Sequence, residues 1–303
     1  MFRVITSMIT VASIDYVGRS FSTAIQSIIA LGYRESVLDP TVYLLHADGK
    51  LQGAIAVEDL LDINKAVKMI KARPDLSIKV RSIDPDRLAW GVMTDASFDN
   101  AGDGRSQGAF GVIAFHEDLQ KGFRVPCSLI TWRSGRIQRV VNSTLAAETQ
   151  SLSKGLGELC WIMSVYNEIT DPEFTVEKWE SRMARNKVLA LVSEESSSDF
   201  KEALCIVDAK ALYDHLSRES VGPSQDKRTG LEIQVIRQSM NSIRGKIKWV
   251  PHPQMAIDGL TKKNASMDSL YQLLDTGEYQ VVELAEALQT KKDERERLGY
   301  NRR

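Results

Sequence analysis

The chain predicts an α/β domain built on a mixed five-stranded sheet with flanking helices, and three observations carry that expectation. From residue 86 onward, apolar segments and helical stretches follow one another in the order βββαβαβα. The first three strands, at 86–98, 108–118 and 124–132, are joined by short connections and read as an antiparallel meander. The later run "ALCIVD" (203–208) has no polar residue before its end, as a strand covered on both faces of a parallel sheet should.

Each element has a local reason. Residues 1–60 mix short apolar runs with turn signals, and "TVYLLHADGKLQGAIAV" (41–57) reads as a hairpin around a Gly-bearing turn. In "EDLLDINKAVKMIKAR" (58–73), Leu60, Ile63, Ala66, Val67 and Ile70 recur at helical steps until Pro74 stops them. A Gly-rich turn at 100–108 separates the first two strands of the meander, and a basic loop at 133–143 follows the third. Ser143 or Thr144 is placed to cap a helix over 145–168. On that helix, at 100° per residue, Leu145, Leu152, Leu156, Leu159 and Met163 form one stripe. Residues 171–202 read as a polar, irregular insertion with a helix around "VEKWESRMA". Helices at 209–218 and 231–243, a loop between them at 222–230, and a last strand at 246–251 complete the domain. The tail from 267 is helical and ends in the charged, solvated "KKDERERLGYNRR".

The totals exclude several classes. With 303 residues, 43% hydrophobic and 26% charged, the composition is that of a globular chain. The net charge of −1 supplies no global basic field, so a nucleic-acid surface would have to be local. Cys127, Cys160 and Cys205 show no CxxC spacing, and the four histidines show no HxxxH pattern, which argues against a zinc site or a disulfide framework. No apolar run approaches a membrane span, and the first twenty residues make a poor signal peptide. The expectation is an intracellular protein, cytoplasmic or nuclear, with no membrane partner and no small-molecule cofactor.

Four acids stand where strands and helices begin or end. Asp95 closes the apolar stretch of "LAWGVMTDASF", Glu148 lies on the apolar stripe of the long helix, Asp208 ends "ALCIV", and Asp258 follows the last strand. Three of them have an ordinary explanation: a strand end or Asx-turn for Asp95, a dipole or arginine partner for Glu148, a cap or turn for Asp258. Asp208 is harder to dismiss, because helix-forming "AKAL" rather than a turn residue follows it. Taken together, the order D–E–D–D brings four carboxylates to one sheet edge. They would repel there unless cations neutralised them. Oxygen donors suit Mg²⁺ or Mn²⁺, and two such ions serve phosphodiester hydrolysis.

The series "TDASFD…GAFGVIAF…LITWRSGRIQRVVNSTLAAETQSL…LCIVDAKALYDHL…DKRTGLEIQVIRQ…IKWVPHPQMAIDGLTK" resembles the ribonuclease H domain at the end of copia-type retrotransposon polyproteins, over residues 86–263. The resemblance implies a ribonuclease H-like fold that cuts the RNA strand of an RNA–DNA hybrid. It also implies that Asp95, Glu148, Asp208 and Asp258 hold two Mg²⁺ or Mn²⁺ ions. His252 would move a proton, and Arg133, Arg136, Arg139, Lys227 and Arg228 would contact phosphates. Residues 30–57 look like the family's reverse-transcriptase palm just before its catalytic Asp pair, but that pair is missing. The expected organisation is therefore a truncated α+β palm remnant (1–57), a linker helix and connection (58–85), a ribonuclease H-like domain (86–282) and a tail (283–303), without polymerase activity. The competing reading is a catalytically inactive remnant that at most binds nucleic acid. An integrase-like nuclease would want the order D–D–E instead. Neither reading specifies an oligomeric state.

Overall fold

The computed structural model describes residues 29–30, 32–35, 42–47, 50–56, 71–98, 105–192, 201–218, 226–262 and 265–282. Its contacts divide the chain into two compact units, Met1–Leu76 and Ser77–Arg303. In the first unit, β1 (Arg34–Glu35), β2 (Val42–Ala47) and β3 (Lys50–Ala56) form an antiparallel sheet in the order β1-β2-β3. The hairpin expected at 41–57 is the β2–β3 pair. The helix expected at 58–73 lies outside the described residues, apart from the helical Lys71 and Ala72. Most of the Gly-rich turn and the tail beyond 282 also lie outside them.

The second unit is an α/β domain built on a mixed sheet. Its strands are β4 (Leu88–Ser97), β5 (Gln107–His116), β6 (Val125–Arg136), β7 (Leu204–Val207), β8 (Lys246–Trp249) and β9 (Glu278–Tyr279). They lie in the order β8-β7-β4-β5-β6-β9. The pairs β4–β5, β5–β6 and β6–β9 are antiparallel, whereas β4–β7 and β7–β8 are parallel. Among the described residues five helices accompany the sheet: α1 (Thr144–Thr170), α2 (Val176–Val192), α3 (Lys210–Ser217), α4 (Lys227–Ser242) and α5 (Asp268–Thr276).

Strand alternation sends side chains into two cores. Val92, Phe110, Val112, Cys205 and Val207 meet Leu152, Leu156, Leu159 and Met163 of α1, with Leu212 of α3 and Ile233, Ile236 and Met240 of α4. Met93, Ala109, Ile113, Phe115, Leu204 and Ile206 face the other way, toward Val250, Met255, Ile257 and, from α5, Leu270 and Leu273. The apolar stripe of the long helix is therefore its buried face, each fully buried leucine contributing roughly 1.5–3 kcal/mol. Ser143 caps α1, its hydroxyl accepting the Ala146 amide at 3.1 Å.

Four elements differ from expectation. The sheet has six strands, because Glu278–Tyr279 of the tail pairs with Val125 and Pro126. Arg133–Arg136 are the end of β6 rather than loop, paired with Gln107–Phe110 of β5. The helix expected around 176–184 runs on to 192, where an irregular insertion was expected; Trp179 and Asn186 are buried, and the Asn186 amide donates to the Ser242 carbonyl at 2.9 Å. Helix α4 begins at Lys227 instead of 231. Asp226 is its cap, accepting from the Arg228 amide at 3.0 Å and the Thr229 hydroxyl at 2.6 Å.

Candidate metal centre

Register brings the first and third acids side by side. In the parallel β4–β7 pair, Thr94 stands opposite Val207, so the next residues along, Asp95 and Asp208, are neighbours at the strand ends. Ser151 of α1 donates to the carbonyls of Asp95 at 3.0 Å and Ala109 at 2.8 Å, tying the helix to both strands. Gly155 allows that approach: a Cβ there would lie 2.9 Å from Cγ2 of both Thr94 and Val92. Glu148, on the same helix face, is thereby delivered to the strand ends. Asp95, Glu148 and Asp208 are 1%, 4% and 5% exposed, and each offers a ligand atom within 4.8 Å of the others.

The fourth acid arrives on the segment after β8. Trp249 donates its indole N–H to the Asp208 carbonyl at 2.8 Å and starts that segment at the centre. His252 then places Nδ1 2.5 Å from Asp208 Oδ2 and 3.9 Å from Asp258 Oδ1. Thr261 donates its hydroxyl to Asp95 Oδ2, and Ser97 donates to the Thr261 carbonyl at 2.9 Å. Lys262 bonds Asp258 Oδ1 and lies 3.7 Å from Asp95 Oδ1. Asp208, His252 and Asp258 form a second group with ligand atoms within 4.8 Å, sharing Asp208 with the first.

Crowding sets the electrostatics. Burial and then the charge of Asp208 push the Asp95 carboxyl up to about 7, against the opposing Thr261 bond and Lys262 charge. Burial, then Asp208 and Asp95, push Glu148 up to about 9. The bond to Asp208 holds His252 above its ordinary value, despite partial burial. Burial pulls Lys262 down, but the Asp258 bond and the charges of Asp95, Asp258 and Asp208 carry it net upward.

Three carboxylate oxygens have no hydrogen-bond partner in this enclosed space: Asp95 Oδ1, Glu148 Oε2 and Asp208 Oδ1. A buried acceptor left unpaired costs about 1–3 kcal/mol, more for a charged group. One such oxygen on each of three adjacent acids is the donor set of a hard divalent cation. The residues present therefore fit Mg²⁺ or Mn²⁺.

The basic residues singled out in the sequence fall into two clefts. Arg139, Lys227 and Arg228 line one of about 540 Å³ between the starts of α1 and α4, where Arg139 also meets Glu232 at 3.3 Å. Arg133 and Arg136 line another of about 490 Å³ between the end of β6 and α1. Lys154 joins that second cleft and was not anticipated. Thr261 and Lys262 were not singled out either, although "GLTK" follows Asp258 directly.

No protein-family model matches the chain, and no curated protein matches it. Solved structures similar to it include the N-terminal RNase H domain of a Mycobacterium tuberculosis protein, solved as a fusion with maltose-binding protein. It is 14% identical, covers 61% of this chain and 97% of that one, and has a TM-score of 0.32. RNase H1 from the halophilic archaeon Halobacterium salinarum is 12% identical, covers 61% of this chain and 98% of that one, with a TM-score of 0.33. The fold class itself rests on the strand order and register of this chain.

Proposed function

We propose that the second unit is a metal-dependent nuclease of retrotransposon origin that cleaves the RNA strand of RNA–DNA hybrids inside the cell. We take residues 1–57 to be a palm remnant without polymerase activity. The observation that carries the nuclease reading is the trio of unpartnered, buried oxygens on Asp95, Glu148 and Asp208. Asp95, Glu148, Asp208 and Asp258 would hold the ions. When bound, a pair of ions activates water and stabilises the leaving oxygen of a phosphodiester.

The chain's own groups complete the chemistry. Thr261 fixes Asp95 by binding Oδ2, leaving Oδ1 for a cation. Asp208 divides its oxygens similarly, Oδ2 for His252 and Oδ1 unpartnered. With Nδ1 engaged by that carboxylate and most of the ring exposed, His252 keeps Nε2 for proton transfer. The hybrid's phosphates would run over the two clefts carrying Arg133, Arg136, Arg139, Lys227 and Arg228. Contacts to the ribose 2′-hydroxyl would select the RNA strand. Among the described residues no helix is long and apolar enough to cross a membrane.

The test is cleavage of an end-labelled hybrid by the full chain in millimolar Mg²⁺ or Mn²⁺, beside Asp208→Asn and a chelator control. Metal-dependent cutting of the RNA strand, lost in the variant, is the expected result. An intact hybrid with wild type returns the reading to an inactive remnant.

A further inference from the structure

The two groups of ligands are not equally ready for an ion. The unpartnered oxygens of Asp95, Glu148 and Asp208 all belong to the first group. In the second, the donors are already engaged: His252 takes Asp208 Oδ2 at 2.5 Å, and Lys262 takes Asp258 Oδ1. Lys262 also reaches toward Asp95 Oδ1, at 3.7 Å, so its ammonium lies between the first and last acids of the set.

Its position is built rather than accidental. The backbone turns at Asp258–Leu260, and Thr261 is anchored on both sides, by its hydroxyl to Asp95 and by its carbonyl to Ser97. Ser134 adds a bond at 2.5 Å to the Leu260 carbonyl. Residue 262 therefore follows a fixed backbone, four positions past Asp258, and its side chain is 32% exposed. An ammonium is a compact point charge, the side-chain counterpart of a small cation.

We propose that Lys262 fills one of the two ion positions of the metal-free protein, so that the ions bind unequally. This rests on the metal-nuclease reading above. The first ion enters among Asp95, Glu148 and Asp208, where Lys262 stands 3.7 Å from Asp95 Oδ1 but makes no hydrogen bond to it. The second, at Asp258, must expel Lys262 from its carboxylate. Lys262 is thus a positioning residue that sets the divalent concentration at which the centre is completed, and it holds Asp258 in place until then.

Calorimetric titration of the metal-free full chain with MnCl₂ tests this without reference to turnover. Wild type should show one tight step per chain and a weaker second step. Lys262→Met should tighten the second step by about fivefold to tenfold, the size of one partly exposed ion pair released from competition. The first step should change less than the second, since Lys262 bonds Asp258 and only approaches Asp95, and Lys262→Arg, which keeps the cation, should resemble wild type. Lys262→Gln runs alongside, with far-ultraviolet circular dichroism on every variant, so that a misfolded Met variant does not end the test. A second step unchanged or weakened in the folded neutral variants overturns the proposal and leaves the metal reading standing. A wild type that binds no Mn²⁺ overturns both.

Discussion

At the scale of single residues, Asp208 carries the most. It borders both ligand groups, so an amide there removes a charge from each. Asp208→Asn should lower cleavage by roughly three orders of magnitude, comparable to or beyond the loss of a key transition-state donor. It should leave the metal-free fold as stable as before or more so, because like charges then repel less. Single-turnover cleavage and a thermal melt in chelator check the two halves. The role proposed for His252 is proton transfer. Its raised value means the charged, donating form persists above the ordinary histidine range and is lost as pH rises through the shifted value. His252→Ala should cost about a hundredfold or more in rate and remove that alkaline limb from the pH profile. Asp95, Glu148 and Asp208 were legible in the sequence because each interrupts or ends an apolar pattern, and Asp258 because it follows the last strand and completes the order of the set. Thr261 and Lys262 were not, because a residue in a turn has no period; only the fold-back onto Asp95 gives them a role.

At the scale of elements, α1 is the part whose placement matters most, since it carries Glu148. Its packing hinges on a glycine that sequence reasoning passed over. Gly155→Ala would gain helix propensity, up to about 1 kcal/mol. It would also press a methyl against Thr94 and Val92, and overpacking of that kind costs about 1–3 kcal/mol. The second effect should win: the melting temperature falls, and cleavage falls further as Glu148 moves off the strand ends. Gly157→Ala is the control, with nothing within 4 Å of its Cβ, and should raise stability by about 0.5–1 kcal/mol. Chemical denaturation of both variants measures the contrast. The α1 stripe was readable because its buried positions are leucines and methionine. The continuation of α2 past 184 was not, because a polar residue, Asn186, occupies a buried position and breaks the stripe. The start of α4 was hidden by Gly230, which reads as loop but lies within the helix.

At the scale of the whole molecule, the acid cluster ties stability to pH and metal. Asp95 moves from 3.8 to about 7 and Glu148 from 4.5 to about 9 on folding. Between those limits the folded, metal-free chain keeps protons that the unfolded chain has released, so stability falls as pH rises. His252, also raised, works in the same direction. In chelator, the melting temperature should therefore decline steadily from about pH 5 to pH 9. Millimolar Mn²⁺ should reverse that slope. An ion at a hundred times its Kd adds about 2.7 kcal/mol, or about 5–10 °C for a domain of this size. Scanning calorimetry across pH, with and without metal, checks both signs. The order of strands, the mixed sheet and the meeting of the acids were legible at this scale, because alternation and apolar runs fix which segments are central. The sixth strand was not: two residues paired at an edge leave too short a pattern to see.

That short ninth strand has a consequence for self-association. It covers β6 only at Val125 and Pro126, so from Leu129 onward no described strand pairs with the outer side of β6. Ile130 and Trp132 are exposed there, and the register slips beside Ile130, bending the strand as a bulge does. An open edge with apolar side chains is a template for a second copy unless charge discourages it. Arg133 and Arg136 supply that charge. Replacing both with neutral residues to probe phosphate contact should therefore also make the chain aggregate, visible as concentration-dependent light scattering. Reversal to glutamate should abolish phosphate attraction while keeping the chain monodisperse, and so separates a lost substrate contact from a lost guard on the sheet.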